Sequence, residues 1–168
     1  PALASSSKSQ LLGQEQEYRD QGFTRPTVLV LVPFRTQAHK VVQSILKLVP
    51  GGRQVSSLTR FNTEYGPDDS ADDDDSNADK PADYTDLFGT NNDDCFQFGI
   101  AVSRKEVTLF SEFYHSDIII ASPLGLRRTI GAEDERGADR DFLSSIELCV
   151  LDRANVFHMQ NWEHVIEI

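Results

Sequence analysis

Asp152, Arg153, Ala154 and Asn155 follow directly on the apolar run Cys149, Val150 and Leu151, so a carboxylate stands where a strand-like segment gives out. A carboxylate in that position can hold a divalent cation, and a second one beside it can orient a water for attack on a phosphoanhydride. The second group here is a guanidinium. Losing a general base typically slows such chemistry by about a hundred- to ten-thousand-fold. An inward-pointing arginine about 5 Å from a magnesium ion would also repel it by several kcal/mol at a protein-like dielectric. Turned differently, Arg153 could pair with Asp152 and fill the metal position. The plain alternative is a strand-end aspartate that caps the next turn.

Other chemistries find less support. The run of aspartates at 72–75 lacks the alternating ligand positions, turn glycine and distal glutamate of a calcium loop. His39, His115, His158 and His164 have no spacing that joins them to Cys95 or Cys149 as a zinc set. No G-x-S-x-G elbow occurs, nor does the phosphate-cradling G-x-x-x-x-G-K-[ST]. Neither a metal nor a cofactor is expected, and no residue is assigned as catalytic.

The elements that would place these residues are legible as alternating strands and helices. "PTVLVLVPF" (26–34) is a continuously apolar, β-branched run, the pattern of a strand buried on both faces of a parallel sheet. Thr36 could cap a helix in which Ala38, Val41, Val42, Ile45, Leu46 and Val49 form one apolar stripe, ended by "PGG". "CFQFGIAV" and "EVTLF" are expected as two strands joined by "SRK". "DIIIASP" is a second buried strand, with Ser122 and Pro123 as cap and first residue of the helix "LGLRRTI". "FLSSIELCVLD" is expected as a third buried strand, and "VFHMQNWEHVIEI" as a largely buried helix with Phe157, Met159, Trp162, Val165 and Ile166 on one face. The alternation specifies an α/β open sheet, whose ligands sit at the carboxyl ends of the strands. "PFRT", "SPLGLR" and "DRAN" are the segments found there.

Charge is unevenly placed. Residues 64–94 hold twelve of the 27 acidic residues and one of the 16 basic ones, which leaves fifteen of each sign elsewhere. This block is expected to be a disordered acidic insertion, since dense like charge with little apolar content cannot offset the entropy of ordering. The neutral remainder can still carry a local basic strip for phosphates. Residues 1–22 read as a flexible or linker segment and 23–168 as one partial domain. The apolar run from Thr27 to Val32 is far short of the roughly 20 residues of a membrane span, so a soluble intracellular protein without a membrane partner is expected. Cys149, inside an apolar run, is expected to be buried. The sheet is expected to present an uncovered edge.

Three strand ends in order resemble those of DEAD-box RNA helicases. "VLVLVPFRTQA" is similar to the Ia motif, a strand followed by P-T-R-E-L-A; "DIIIASPLGLR" is similar to the Ib motif, a strand followed by T-P-G-R; "CVLDRANVF" falls where D-E-A-D stands. "RPTVLVLVPFR", "FYHSDIIIASPLGLR", "DFLSSIEL" and "MQNWEHV" resemble more closely the digestive-organ expansion factor family, the U3 small nucleolar RNA-associated protein 25 group, over nearly all of residues 15–168.

The resemblance implies part of a first RecA-like domain, a parallel sheet with helices on both faces, that has lost its ATPase motifs. It implies a nucleolar scaffold of the small-subunit processome, acting in pre-ribosomal RNA processing and 18S RNA production, with pre-rRNA or U3 small nucleolar RNA and processome assembly proteins as partners. Asp152, Arg153 and Asn155 then become a vestigial nucleotide site, Asn155 replacing a carboxylate that couples nucleotide to the second domain. Arg35, Ser122 and Arg127 become candidate RNA contacts, Arg35 matching the arginine of P-T-R-E and Ser122 the threonine of T-P-G-R. Two rival readings stand beside this one: an active RNA-dependent ATPase, and a protein-docking module that uses the acidic insertion.

Overall fold

The structure is a computed structural model that describes residues 26–49, 53–67, 81, 84, 87, 91–131, 139–160 and 162–168. Six strands form one sheet: β1 (Val28–Leu31), β2 (Gln54–Ser56), β3 (Gln97–Val102), β4 (Glu106–Ser111), β5 (Ile118–Ala121) and β6 (Leu148–Leu151), in the spatial order β2-β4-β3-β5-β1-β6. Between them run α1 (Arg35–Leu48), α2 (Leu58–Tyr65) and α3 (Pro123–Ile130), and after β6 come α4 (Ala154–Gln160) and α5 (Trp162–Ile166).

Alternation along the central strands divides the core in two. Val30 and Ile120 join Ala38, Val42, Phe61, Phe98 and neighbours under α1 and α2. Leu29, Leu31, Ile119 and Ala121 face the other way, against Leu126 and Ile130 of α3, Phe142, and Phe157 of α4. A run apolar at every position is therefore the pattern of a strand sandwiched between two helical layers. β1 pairs in parallel with β5 and β6, with Leu29 opposite Ile119 on one side and Cys149 on the other.

One strand breaks the parallel pattern. β3 runs antiparallel to both β4 and β5, because the short turn at 103–105 can only return the chain as a hairpin. Between Gly99 and Ile100 the pairing shifts: Gly99 faces Ser111 and Ile100 faces Leu109, so Phe110 bulges out, at φ 61°. A β-carbon on Gly99 would run into Ser116 and the Ser111 carbonyl, which is why glycine stands opposite the bulge.

Several expectations are corrected. β6 is an edge strand: Leu148 and Val150 are 54% and 38% exposed and Cys149 is exposed, because β6 has only β1 as a partner among the described residues. The tail is two short helices that bury Phe157 and half-bury Val165 while Met159 (71%), Trp162 (39%) and Ile166 (70%) stay exposed. Phe34 occupies the cap position of α1 and makes no side-chain cap hydrogen bond, and the Thr36 hydroxyl instead donates to the Asn91 carbonyl. β2 and α2 were not foreseen.

Most of the acidic stretch, like residues 1–25, lies outside the described residues. Its two ends are ordered parts of the domain: Glu64 and Tyr65 belong to α2, and Asn91 and Asp93 accept from the Thr36 and Arg35 amides. Among the described residues no helix is long and apolar enough to cross a membrane, and no cluster of metal-ligating side chains is found.

Ser122 caps α3 as expected: its hydroxyl accepts from the Gly125 amide at 3.0 Å, with Pro123 in the first turn. A β-carbon on Gly125 would overlap the Phe96 carbonyl. Gly125→Ala is thus expected to destabilise the fold by about 1–3 kcal/mol through overpacking, and Ile120→Ala by about 2–5 kcal/mol through a cavity. Urea unfolding followed by fluorescence measures both.

Candidate nucleic-acid interface

The carboxyl ends of β1 and β5 and the antiparallel start of β3 meet at one end of the sheet. Gln97 lies opposite Ala121, and the pairing is carried one step further by the Ser122 amide donating to the Phe96 carbonyl at 3.0 Å. An open cleft of about 480 Å³ forms there between α2 and α3. Three arginines line it: Arg35 from the first turn of α1, Arg60 from α2 and Arg128 from α3.

Each arginine is held by neighbours. Arg35 pairs with Asp93 at 2.8 Å and lies 5.2 Å from the centre of the Tyr65 ring. Arg60 lies over the Phe110 ring at 4.1 Å while its Nε bonds Glu64 at 2.7 Å. Arg128 donates to the Cys95 sulfur at 3.1 Å. Gln97 and Thr129 bond across the floor at 2.6 Å. Burial pushes the Tyr65 phenol up to about 12, against the opposing pull of Arg35, so at neutral pH it is an uncharged hydroxyl. The result is an arginine-lined groove with aromatic faces; among the described residues Glu64 is the lining carboxylate, and Asp93 lies beside it on Arg35. Guanidinium groups beside aromatic rings suit phosphates and unstacked bases.

The residues singled out in the sequence are not all brought together. Arg35 is in the cleft. Ser122 is fully buried, its hydroxyl taken by the Gly125 amide and by the Phe96 amide at 3.2 Å, so it shapes the wall and meets no ligand. Arg127 leans away from the cleft, pairing with Glu167 and bonding His164 at 2.7 Å, and thereby ties α3 to the end of the chain.

Asp152 and its neighbours sit at the far edge, outside the cleft. The Asp152 amide extends the β1 pairing by donating to the Leu31 carbonyl at 3.0 Å. Arg153 takes the left-handed backbone region at φ 61°, Asp152 and Arg153 are half-buried, and Asn155 is exposed.

Sequence reasoning missed Arg60, Phe110 and Arg128. The signal for α2 was present in Leu58, Phe61 and Tyr65 at helical steps, with Arg60 and Glu64 four apart. For Arg128 the cue was phase: once Leu126 and Ile130 face the core, Arg127 and Arg128 must flank that stripe on different sides. No sequence signal marks the bulge at Phe110 beyond Gly99 itself.

The two adjacent arginines should separate in a stability assay. Arg127→Ala is expected to cost about 1 kcal/mol and to speed amide exchange in 162–168, whereas Arg128→Ala is expected to stay within about 0.5 kcal/mol of the parent. Chemical denaturation with hydrogen-exchange mass spectrometry reads both.

The family model described as "UTP25, NTP hydrolase-like domain" matches residues 2–168. The chain is 46% identical over 161 residues to the U3 small nucleolar RNA-associated protein 25 homolog of Mus musculus, covering 94% of this chain and 21% of that protein. It is 51% identical over 152 residues to U3 small nucleolar RNA-associated protein 25 of Podospora anserina, covering 90% and 22%. The chain thus spans about a fifth of the length of these relatives. No solved structure gives a significant match. A match over nearly the whole chain, on a mixed α/β sheet that fits a RecA-like fold, means that the chain belongs to the UTP25 NTP hydrolase-like domain family.

Proposed function

We propose that this chain is a non-catalytic, helicase-like RNA-contacting module of a small-subunit processome component, acting in the nucleolus in pre-ribosomal RNA processing and 18S RNA production. The observation that carries the reading is the cleft, where Arg35, Arg60 and Arg128 converge with Tyr65 and Phe110. The names of the relatives, which associate those proteins with U3 small nucleolar RNA, support pre-ribosomal RNA or that RNA as the ligand and assembly proteins as neighbours.

The nucleotide corner supports a scaffold over an engine. The resemblance to DEAD-box helicases puts a water-positioning carboxylate at position 153, and the arginine there supplies no base. The retained chemistry is thus on the RNA-facing side, where guanidinium groups bind phosphate without reading sequence.

Charge reversal tests this directly. The double variant Arg35→Glu, Arg128→Glu is expected to weaken binding of single-stranded RNA at least tenfold and to flatten its salt dependence by about 1.4, two phosphate contacts at about 0.7 each. Fluorescence anisotropy across a salt series measures both, and unchanged binding would remove the cleft from the account. RNA-stimulated ATP hydrolysis is expected to remain at background. Turnover that disappears in Asp152→Ala would establish the ATPase reading instead.

A further inference from the structure

We propose that Arg60 is a stacking platform for an unpaired nucleobase, so that the cleft selects single-stranded RNA. The inference rests on the RNA reading above and names the part of the RNA that the cleft holds.

Three features of Arg60 point the same way. Its guanidinium carbon lies over the Phe110 ring at 4.1 Å from the centre, so the ring covers one side of the group. Its Nε is tied to Glu64 at 2.7 Å, which restrains rotation of the plane. The side chain remains 60% exposed and lines the cleft, so its other face is presented there. A guanidinium held flat with one face open is a stacking surface for a planar π-system.

The backbone under it is built for this display. Phe110 is the bulged residue of β4 and takes φ 61°, a left-handed conformation that is unfavourable for a non-glycine residue. Regular pairing would alternate Phe110 with its neighbours across the sheet; the bulge re-aims it. Its ring then packs beside Phe61, Tyr65 and Phe98, at centroid distances of 6.2, 6.0 and 5.5 Å, which fixes the support from below.

Charge selects the occupant. Arg35 and Arg128 line the same cleft and suit the phosphates on either side of a base held on Arg60. A flexible anionic polymer carrying planar bases satisfies both demands, and in a duplex the bases are already stacked on one another.

The test compares two strands of equal length and charge on the full chain: a short single-stranded oligoribonucleotide and its abasic counterpart, titrated by anisotropy. The base-bearing strand is expected to bind about 5- to 100-fold more tightly. In Arg60→Lys, which keeps the charge and loses the plane, that ratio is expected to fall below about twofold. Equal affinity of the two strands, or a ratio that Arg60→Lys leaves intact, overturns the platform while leaving phosphate binding in place. Failure of both strands to bind overturns the platform together with the RNA reading.

Discussion

The cleft exists because helix α3 can approach the start of strand β3 to backbone contact. Ser122 makes that joint. Its amide and hydroxyl both engage Phe96, and the same hydroxyl caps the helix at the Gly125 amide. Gly125 has no side chain to hold the two apart. With Phe96 fixed, Cys95 and Gln97 come within reach of Arg128 and Thr129, and one wall of the cleft is complete. The opposite wall follows from the aromatic cluster, in which Phe61 stacks on Tyr65 at 5.0 Å and Tyr65 meets Phe96 edge-on at 5.6 Å. One buried hydroxyl thus registers a helix, a strand and an aromatic core against each other.

The partners of the cleft arginines are weak enough to be exchanged. The Arg35–Asp93 pair has side chains 27% and 43% exposed, and pairs of that kind contribute about 0–1 kcal/mol. A charge-assisted bond to phosphate can replace such a contact at little cost. The neighbours therefore pre-position the guanidinium groups without committing them. Arg127, tied to Glu167 and His164, spans two helices, and its work is structural.

The sheet was legible where burial acts on both faces at once. The β1 and β5 runs are apolar at every position because Val30 and Ile120 face one helical layer while Leu29 and Ile119 face the other. The same pattern misled at β6: Leu148, Cys149 and Val150 read as a core strand, and exposure at an edge depends on what lies beside it, which no local periodicity records. Arg35 was legible from its place after a strand. Arg60 and Phe110 were not, because their meeting depends on a bulge and on α2, and the three-residue β2 and the short α2 are weak signals alone. Ser122 was legible as a cap; only packing reveals that capping consumes it.

In the proposed function the strand ends act through the arginine cleft. Crosslinking of the protein to RNA by ultraviolet light, with the attached nucleotides located by mass spectrometry, addresses it most directly. Crosslinks on peptides spanning 58–65, 95–97 and 123–130 are the predicted result. A map that leaves these segments bare while RNA attaches elsewhere would contradict the account.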